Sequence, residues 1–170
     1  ILHNIRSTYN VGSILRTADG FSVDQIIYSG FTPAPIPHST LLPHLAEKVT
    51  NQIHKTALGA EAYLDLAATD NILQTLENYR KDGFQLVGLE NNLDDSRLIR
   101  INSPDFHAKI GPKIALVLGE EVDGIAAELR EKLDVFVEIP MVGRKESFNV
   151  SVATGMILYE LKCYNIENRS

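Results

Sequence analysis

The sequence predicts an α/β fold: a mostly parallel sheet flanked by helices. Three observations predict it. Apolar runs of strand length alternate with segments of helical periodicity, the order of repeating βα units. Ile114–Leu118 is apolar at every position, as in a central strand covered on both faces. The segments least suited to a packed core, rich in Asn, Ser, Gly and Glu, fall at the carboxyl ends of the predicted strands, where sites form in open α/β sheets.

Taken in order, Asn10 is placed to cap a helix running to about Asp19, with Val11, Ile14, Leu15 and Ala18 on one face and Gly20 as its stop. Gln25–Ser29 reads as a buried strand. A proline-rich loop, Gly30–His38, follows it. Residues 41–58 are weakly helical, and Ala62–Ala67 reads as a short strand. Asp70 is expected to cap a helix through about Lys81, with Ile72, Leu73, Leu76 and Tyr79 as its apolar face and Gly83 ending it. Phe84–Leu89 is the next strand, and residues 91–112 read as irregular and polar. After Ile114–Leu118 come a helix over about Gly124–Lys132, a last strand Val135–Ile139, and a last helix over about Asn149–Tyr164. No repeat, low-complexity tract or linker interrupts this order, so residues 1–170 read as one domain.

A hydrophobic content of 44% and a charged content of 22% are ordinary for a globular chain with a real core. No apolar run approaches the roughly 20 residues needed to span a bilayer. No secretory leader is visible, although the chain begins at Ile1. The single cysteine, Cys163, excludes an internal disulfide and a cysteine-cluster metal site; it suits a reducing cytoplasm and reads as structural or exposed near the end of the last helix. The histidines show no metal-ligand spacing, and no metal is expected. A net charge of −6 argues against non-specific nucleic-acid binding. The charge is uneven: residues 1–60 sum to +1 and the remainder to −7. A surface facing an anionic polymer would therefore draw on the N-terminal segment, with Arg6, and on the pair Arg144–Lys145.

Three constellations carry chemistry. In the first, Asn4–Ala18, Asn10 and Gly12 sit at a helix mouth, where free N–H groups favour an anion, and Arg16 points away from the apolar stripe. In the second, the strand Ile114–Leu118 ends in Gly119-Glu120-Glu121-Val122-Asp123-Gly124 before a helix. A plain account exists for it: Asp123 as cap and Glu121 at the positive end of the dipole. In the third, Pro140-Met141-Val142-Gly143-Arg144-Lys145-Glu146-Ser147-Phe148-Asn149 joins the last strand to the last helix, and a packed core has no need of that polar order. There is no GxGxxG, so a Rossmann-type cofactor turn is not supported.

Together these strings resemble the three signature motifs of the SpoU/TrmH-type RNA ribose 2′-O-methyltransferases, a branch of the knotted SPOUT superfamily, across nearly all of residues 4–160. The resemblance implies a C-terminal trefoil knot, S-adenosylmethionine as methyl donor, S-adenosylhomocysteine as product, and an RNA substrate, tRNA or rRNA. The compact domain, with no N-terminal RNA-binding extension in this chain, leans towards tRNA. Leu89, Gly119, Ile139, Met141 and Phe148 would hold the cofactor; Phe148 stands where relatives mostly carry Leu. Arg16, Asn10, Glu121, Ser147 and Asn149 would form the catalytic set, with Arg16 nearest the 2′-hydroxyl and Glu121 orienting Arg16 or the loop. A guanidinium is a poor base, so Arg16 is better suited to bind the adjacent phosphate. Arg6, Arg144 and Lys145 would contact RNA. The family dimerises through its first and last helices, where Ser151 and Gly155 stand one turn apart; tight packing of Gly155 within the chain is an equal alternative from sequence alone. A non-catalytic relative and a small-molecule nucleotide-binding domain are the rival readings.

Overall fold

The structure, a computed structural model, describes residues 1–167, with side chains through Lys162; the side chain of Cys163 lies outside the described residues. Seven parallel strands form one sheet: β1 (Leu2–His3), β2 (Gln25–Ser29), β3 (Asp65–Thr69), β4 (Gln85–Leu89), β5 (Leu98–Arg100), β6 (Ile114–Leu118) and β7 (Val135–Glu138), in the order β3-β2-β1-β6-β4-β7-β5. The helices are α1 (Thr8–Gly20), α2 (Pro43–Ala57), α3 (Ile72–Lys81), α4 (Phe106–Lys109), α5 (Ala127–Arg130) and α6 (Val150–Glu167).

Alternation along the strands sorts the core into two layers. Leu86 of β4 and Ala115 and Val117 of β6 turn to one face and pack with Leu76 of α3 and Leu129 of α5. Val87 of β4 and Val137 of β7 turn to the other and meet Phe106 and Ile157, on α4 and α6. On that same face Val11, Ile14, Leu15 and Ala18 of α1 pack with Ile53 and Ala57 of α2 against β1 and β2. The predicted stripe of α1 is thus its buried face. Gly12 extends that face rather than the helix mouth. A Cβ there would fall 2.3 Å from the carbonyl oxygen of Ile53, so only glycine lets α1 and α2 cross this closely.

The predicted elements shift in instructive ways. Ser7, not Asn10, caps α1, its hydroxyl accepting from the Asn10 N–H. Asn71, not Asp70, caps α3 through the Gln74 N–H. The third strand is Asp65–Thr69 rather than Ala62–Ala67, with Ala60–Ala62 a single 3-10 turn. The helix expected over Gly124–Lys132 contracts to Ala127–Arg130, because residues 119–125 form a tight loop instead; Asp123 caps nothing. Residues 91–112 are not wholly irregular: they hold β5 at the sheet edge and the short α4. The two-residue β1, absent from the sequence prediction, sits inside the sheet, between β2 and β6. No helix among the described residues is long and apolar enough to cross a membrane.

Candidate active site

In the sheet β4 lies between β6 and β7, so their carboxyl ends are neighbours. The three loops that leave them enclose a cavity of about 360 Å³, a volume within the roughly 300–1,000 Å³ of small-molecule sites. Leu89, Gly119, Ile139 and Phe148, drawn from three separate parts of the chain, all line it, as do Glu121, Ser147 and Asn149. Met141, expected with them, is not among the lining residues.

The loop after β6 is built for close approach. Glu120 and Gly124 exchange backbone hydrogen bonds, both 3.0 Å, which folds the loop back on itself. A Cβ at Gly119 would fall 2.4 Å from the carbonyl carbon of Gly124, so this position admits glycine alone. Gly124 carries φ +68°, in the left-handed region.

Glu121 joins this loop to the N-terminal segment. Its carboxylate accepts from the Arg6 N–H at 3.0 Å, the Ser7 N–H at 3.3 Å and the side-chain amide of Asn10 at 2.9 Å. Burial pushes the carboxyl up, but these donated bonds outweigh it, and the net direction is below its ordinary value. Asn10 then accepts from Nδ2 of Asn149 at 3.1 Å. Oδ1 of Asn149 in turn accepts from the Ser151 N–H at 2.9 Å and from the Ser151 hydroxyl at 2.7 Å, which caps α6. Three of the expected catalytic residues, Asn10, Glu121 and Asn149, therefore form one hydrogen-bonded chain; Glu121 and Asn149 line the cavity with Ser147, and Asn10 bridges the two from outside the lining.

The cations are placed less uniformly. Arg6 pairs with Glu120, so its guanidinium is engaged at the second loop rather than free. Arg144 and Lys145 are exposed on the third loop and have no ion pair among the described residues. Arg16 is exposed and has no hydrogen-bond or ion-pair partner among the described residues. It stands six residues after Asn10, about 120° around the helix from it, and does not line the cavity. Glu121 consequently orients the Arg6–Ser7 loop and Asn10, not Arg16.

Two functional candidates escaped the sequence reading. Glu90 and Asn91, directly after β4, both line the cavity and bind its other two loops. The only sequence signal was the abrupt turn from Leu89 to the polar run Glu90-Asn91-Asn92, which reads as an ordinary loop.

This arrangement has known counterparts. A model of the SpoU rRNA methylase family matches residues 1–159. The chain belongs to that family. Proteins assigned to the TrmH family of tRNA/rRNA methyltransferases are 32% identical in Staphylococcus saprophyticus and 31% in Staphylococcus aureus, over 95% of this chain and 56% of each relative. The chain thus spans just over half the length of these curated relatives. Among solved structures, a TrmH/SpoU tRNA modifying enzyme of A. aeolicus superposes with a TM-score of 0.75 at 26% identity, covering 98% of this chain and 74% of that one. The SpoU methyltransferase AviRb of Streptomyces viridochromogenes, solved with AdoMet, shares the fold at a TM-score of 0.72 and 24% identity, over 97% of this chain and 56% of that chain. The SpoU/TrmH resemblance of the three motifs is borne out.

Proposed function

We propose that this chain is the catalytic domain of an S-adenosylmethionine-dependent RNA methyltransferase that acts on a ribose 2′-hydroxyl of tRNA or rRNA. The observation that carries the reading is the convergence of Leu89, Gly119, Ile139 and Phe148 on one cavity that Glu121 and Asn149, bridged by Asn10, also line.

The cavity fits the proposed cofactor. Its lining pairs apolar surfaces (Leu89, Leu118, Ile139, Phe148) that suit a purine with polar groups that suit a ribose. The missing Cβ at Gly119 lets the Gly124 backbone close against the strand end, which fixes the loop that walls this side of the cavity. The cofactor, when bound, supplies a methyl group already activated by its sulfonium. Gly119, Ile139 and Phe148 hold it in place. Asn10, Ser147 and Asn149 position the nucleotide, and such alignment is worth about 7–11 kcal/mol in well-organised sites. Arg16 binds the phosphate beside the reacting ribose and stabilises charge there. Arg144 and Lys145 add phosphate contacts.

The protein works as a homodimer in the cytoplasm. Val152, Met156 and Tyr159 leave an apolar strip exposed on α6. Gly155 in the same strip has no tight neighbour among the described residues, where a Cβ would meet Thr17 Cγ2 at 3.8 Å. That favours a glycine kept for contact with a second copy over tight internal packing. The outward direction of Arg16 favours a site completed across the same interface. A trefoil knot suits the passage of residues 139–146 beside loop 90–92, where Asn91 and Asn92 both donate to the Glu146 carbonyl.

Calorimetric titration with S-adenosylmethionine, then methyl incorporation into tRNA and rRNA with the modified nucleotide mapped, tests the reading. Binding followed by a 2′-O-methyl mark is expected. Binding with no incorporation into any RNA would leave a non-catalytic relative.

A further inference from the structure

The β7 ladder stops one residue short of the cavity. On one side β4 pairs with β7 as far as Leu89 opposite Val137, and on the other β5 pairs with it as far as Arg100 opposite Glu138. Ile139, the next residue, is buried at 6% exposure and lines the cavity. Its backbone groups are not left unpaired. Oδ1 of Asn91 accepts from the Ile139 N–H at 3.0 Å, and Nδ2 of Asn91 donates to the Ile139 carbonyl at 2.9 Å. The side-chain amide thus replaces a missing strand, offering one acceptor and one donor as a peptide does. Nδ2 also reaches the Glu146 carbonyl at 3.1 Å, which ties down the far end of the same loop.

Glu90, one residue earlier, does the equivalent for the second loop. Its Oε2 accepts from the Ile125 N–H at 2.7 Å. Gly124 passes so close that a Cβ on it would fall 2.2 Å from that oxygen. Burial pushes the Glu90 carboxyl up against the pull of its backbone donors, as expected where acceptor geometry rather than charge is what the site uses. Adjacent side chains at the end of one strand therefore hold both other walls of the cavity.

We propose that Glu90 and Asn91 are positioning residues that hold the loops 119–125 and 139–146 in their binding geometry before the cofactor arrives. This rests on the cofactor reading above. Without the clamp, ligand binding must order two loops, and that cost appears as lost affinity. Glu90 acts on loop 119–125, away from Arg144 and Lys145, whereas Asn91 holds the loop that also carries those two cations.

The test compares Glu90→Ala, Glu90→Gln, Asn91→Ala and Asn91→Asp with the wild-type chain. The readouts are S-adenosylhomocysteine affinity by calorimetry, amide hydrogen exchange without ligand, and separate KM values for S-adenosylmethionine and RNA. Both alanine variants should bind S-adenosylhomocysteine at least ~10-fold more weakly. Exchange should quicken at Ile125 in Glu90→Ala and at Ile139 in Asn91→Ala. In Glu90→Ala, KM for the methyl donor should rise while KM for RNA stays put. Glu90→Gln, which keeps the acceptor, should stay within ~3-fold of wild type. If Glu90→Ala does not fold, Asn91→Asp carries the test, since it keeps the acceptor and loses both donated bonds; it too should lose ~10-fold. Wild-type affinity in the alanine variants, unchanged exchange at both amides, or Glu90→Gln as weak as Glu90→Ala overturns the proposal alone. A wild-type chain that binds no S-adenosylhomocysteine overturns the cofactor reading and the proposal with it.

Discussion

Nδ2 of Asn149 donates to Oδ1 of Asn10 across 3.1 Å, joining the start of α6 to the first turn of α1. The orientation of the Asn10 amide is forced, because its own Nδ2 must face the acceptor-only carboxylate of Glu121. Asn10→Asp would set a second carboxylate against Glu121 and remove that donor. We expect it to cost about 1–3 kcal/mol of folding stability and to abolish turnover, while Asn10→Ala costs less stability. Urea denaturation beside methyl-transfer assays separates the two effects; an Asp variant as stable as wild type would contradict the geometry.

Arg16 has no partner among the described residues, so its removal should leave the fold intact. Arg16→Ala is expected to lower kcat by at least ~100-fold with cofactor affinity unchanged. Arg16→Lys should recover little, because a point charge does not reproduce a planar fork on phosphate. Near-normal turnover in either variant ends this role.

Arg144 and Lys145 are exposed on the third loop, whereas Arg6 is paired with Glu120. Replacing Arg144 and Lys145 with alanine should flatten the dependence of log affinity on log salt by about 0.7 for each lost contact to single-stranded RNA. Arg6→Ala should move that slope little. It should instead reduce stability by less than about 1 kcal/mol, since the Arg6 side chain is 58% exposed and screened by solvent. Filter-binding titrations across a salt series check both, and equal slopes in all variants would be the contrary result.

The carboxyl of Glu121 is held below its ordinary 4.5 in the folded chain. A group with a depressed folded value adds stability above its unfolded value and loses it as pH falls through the folded one. Glu121→Gln should therefore be less stable than wild type near neutrality, and the gap should close below pH 4.5. Denaturation midpoints measured from pH 7 to pH 3 for both proteins would show it; a gap that widens on acidification has the wrong sign.

A Cβ at Gly155 would make only ordinary van der Waals contact, with Thr17 Cγ2 at 3.8 Å. Gly155→Arg should leave the monomer folded and break self-association, with turnover lost alongside. Sedimentation velocity reads the first effect and circular dichroism the fold. A dimer that survives the substitution places the interface elsewhere.

Much of the fold could be read locally. The stripe of Val11, Ile14, Leu15 and Ala18 and the apolar run of β6 are properties of contiguous residues, so periodicity alone located them. β1 could not be read this way. Two residues carry no period, and Leu2–His3 is a strand only because β2 and β6 flank it. The shortened α5 has a similar origin: Gly119 and Gly124 must touch before the helix can start.

The sequence by itself determined the family, the order of the longer strands and helices, and which residues crowd the three strand-end corners, because motif order and local hydrophobic pattern need no knowledge of neighbours. Tertiary structure alone decided the partners. Arg6 reads in sequence as an unpaired cation; only the fold brings Glu120, 114 residues further on, within reach to pair with it. Asn91 looked like loop filler until the β7 ladder ended beside it. In each case the deciding quantity was a distance or an angle between segments far apart in the chain, and local pattern holds no record of either.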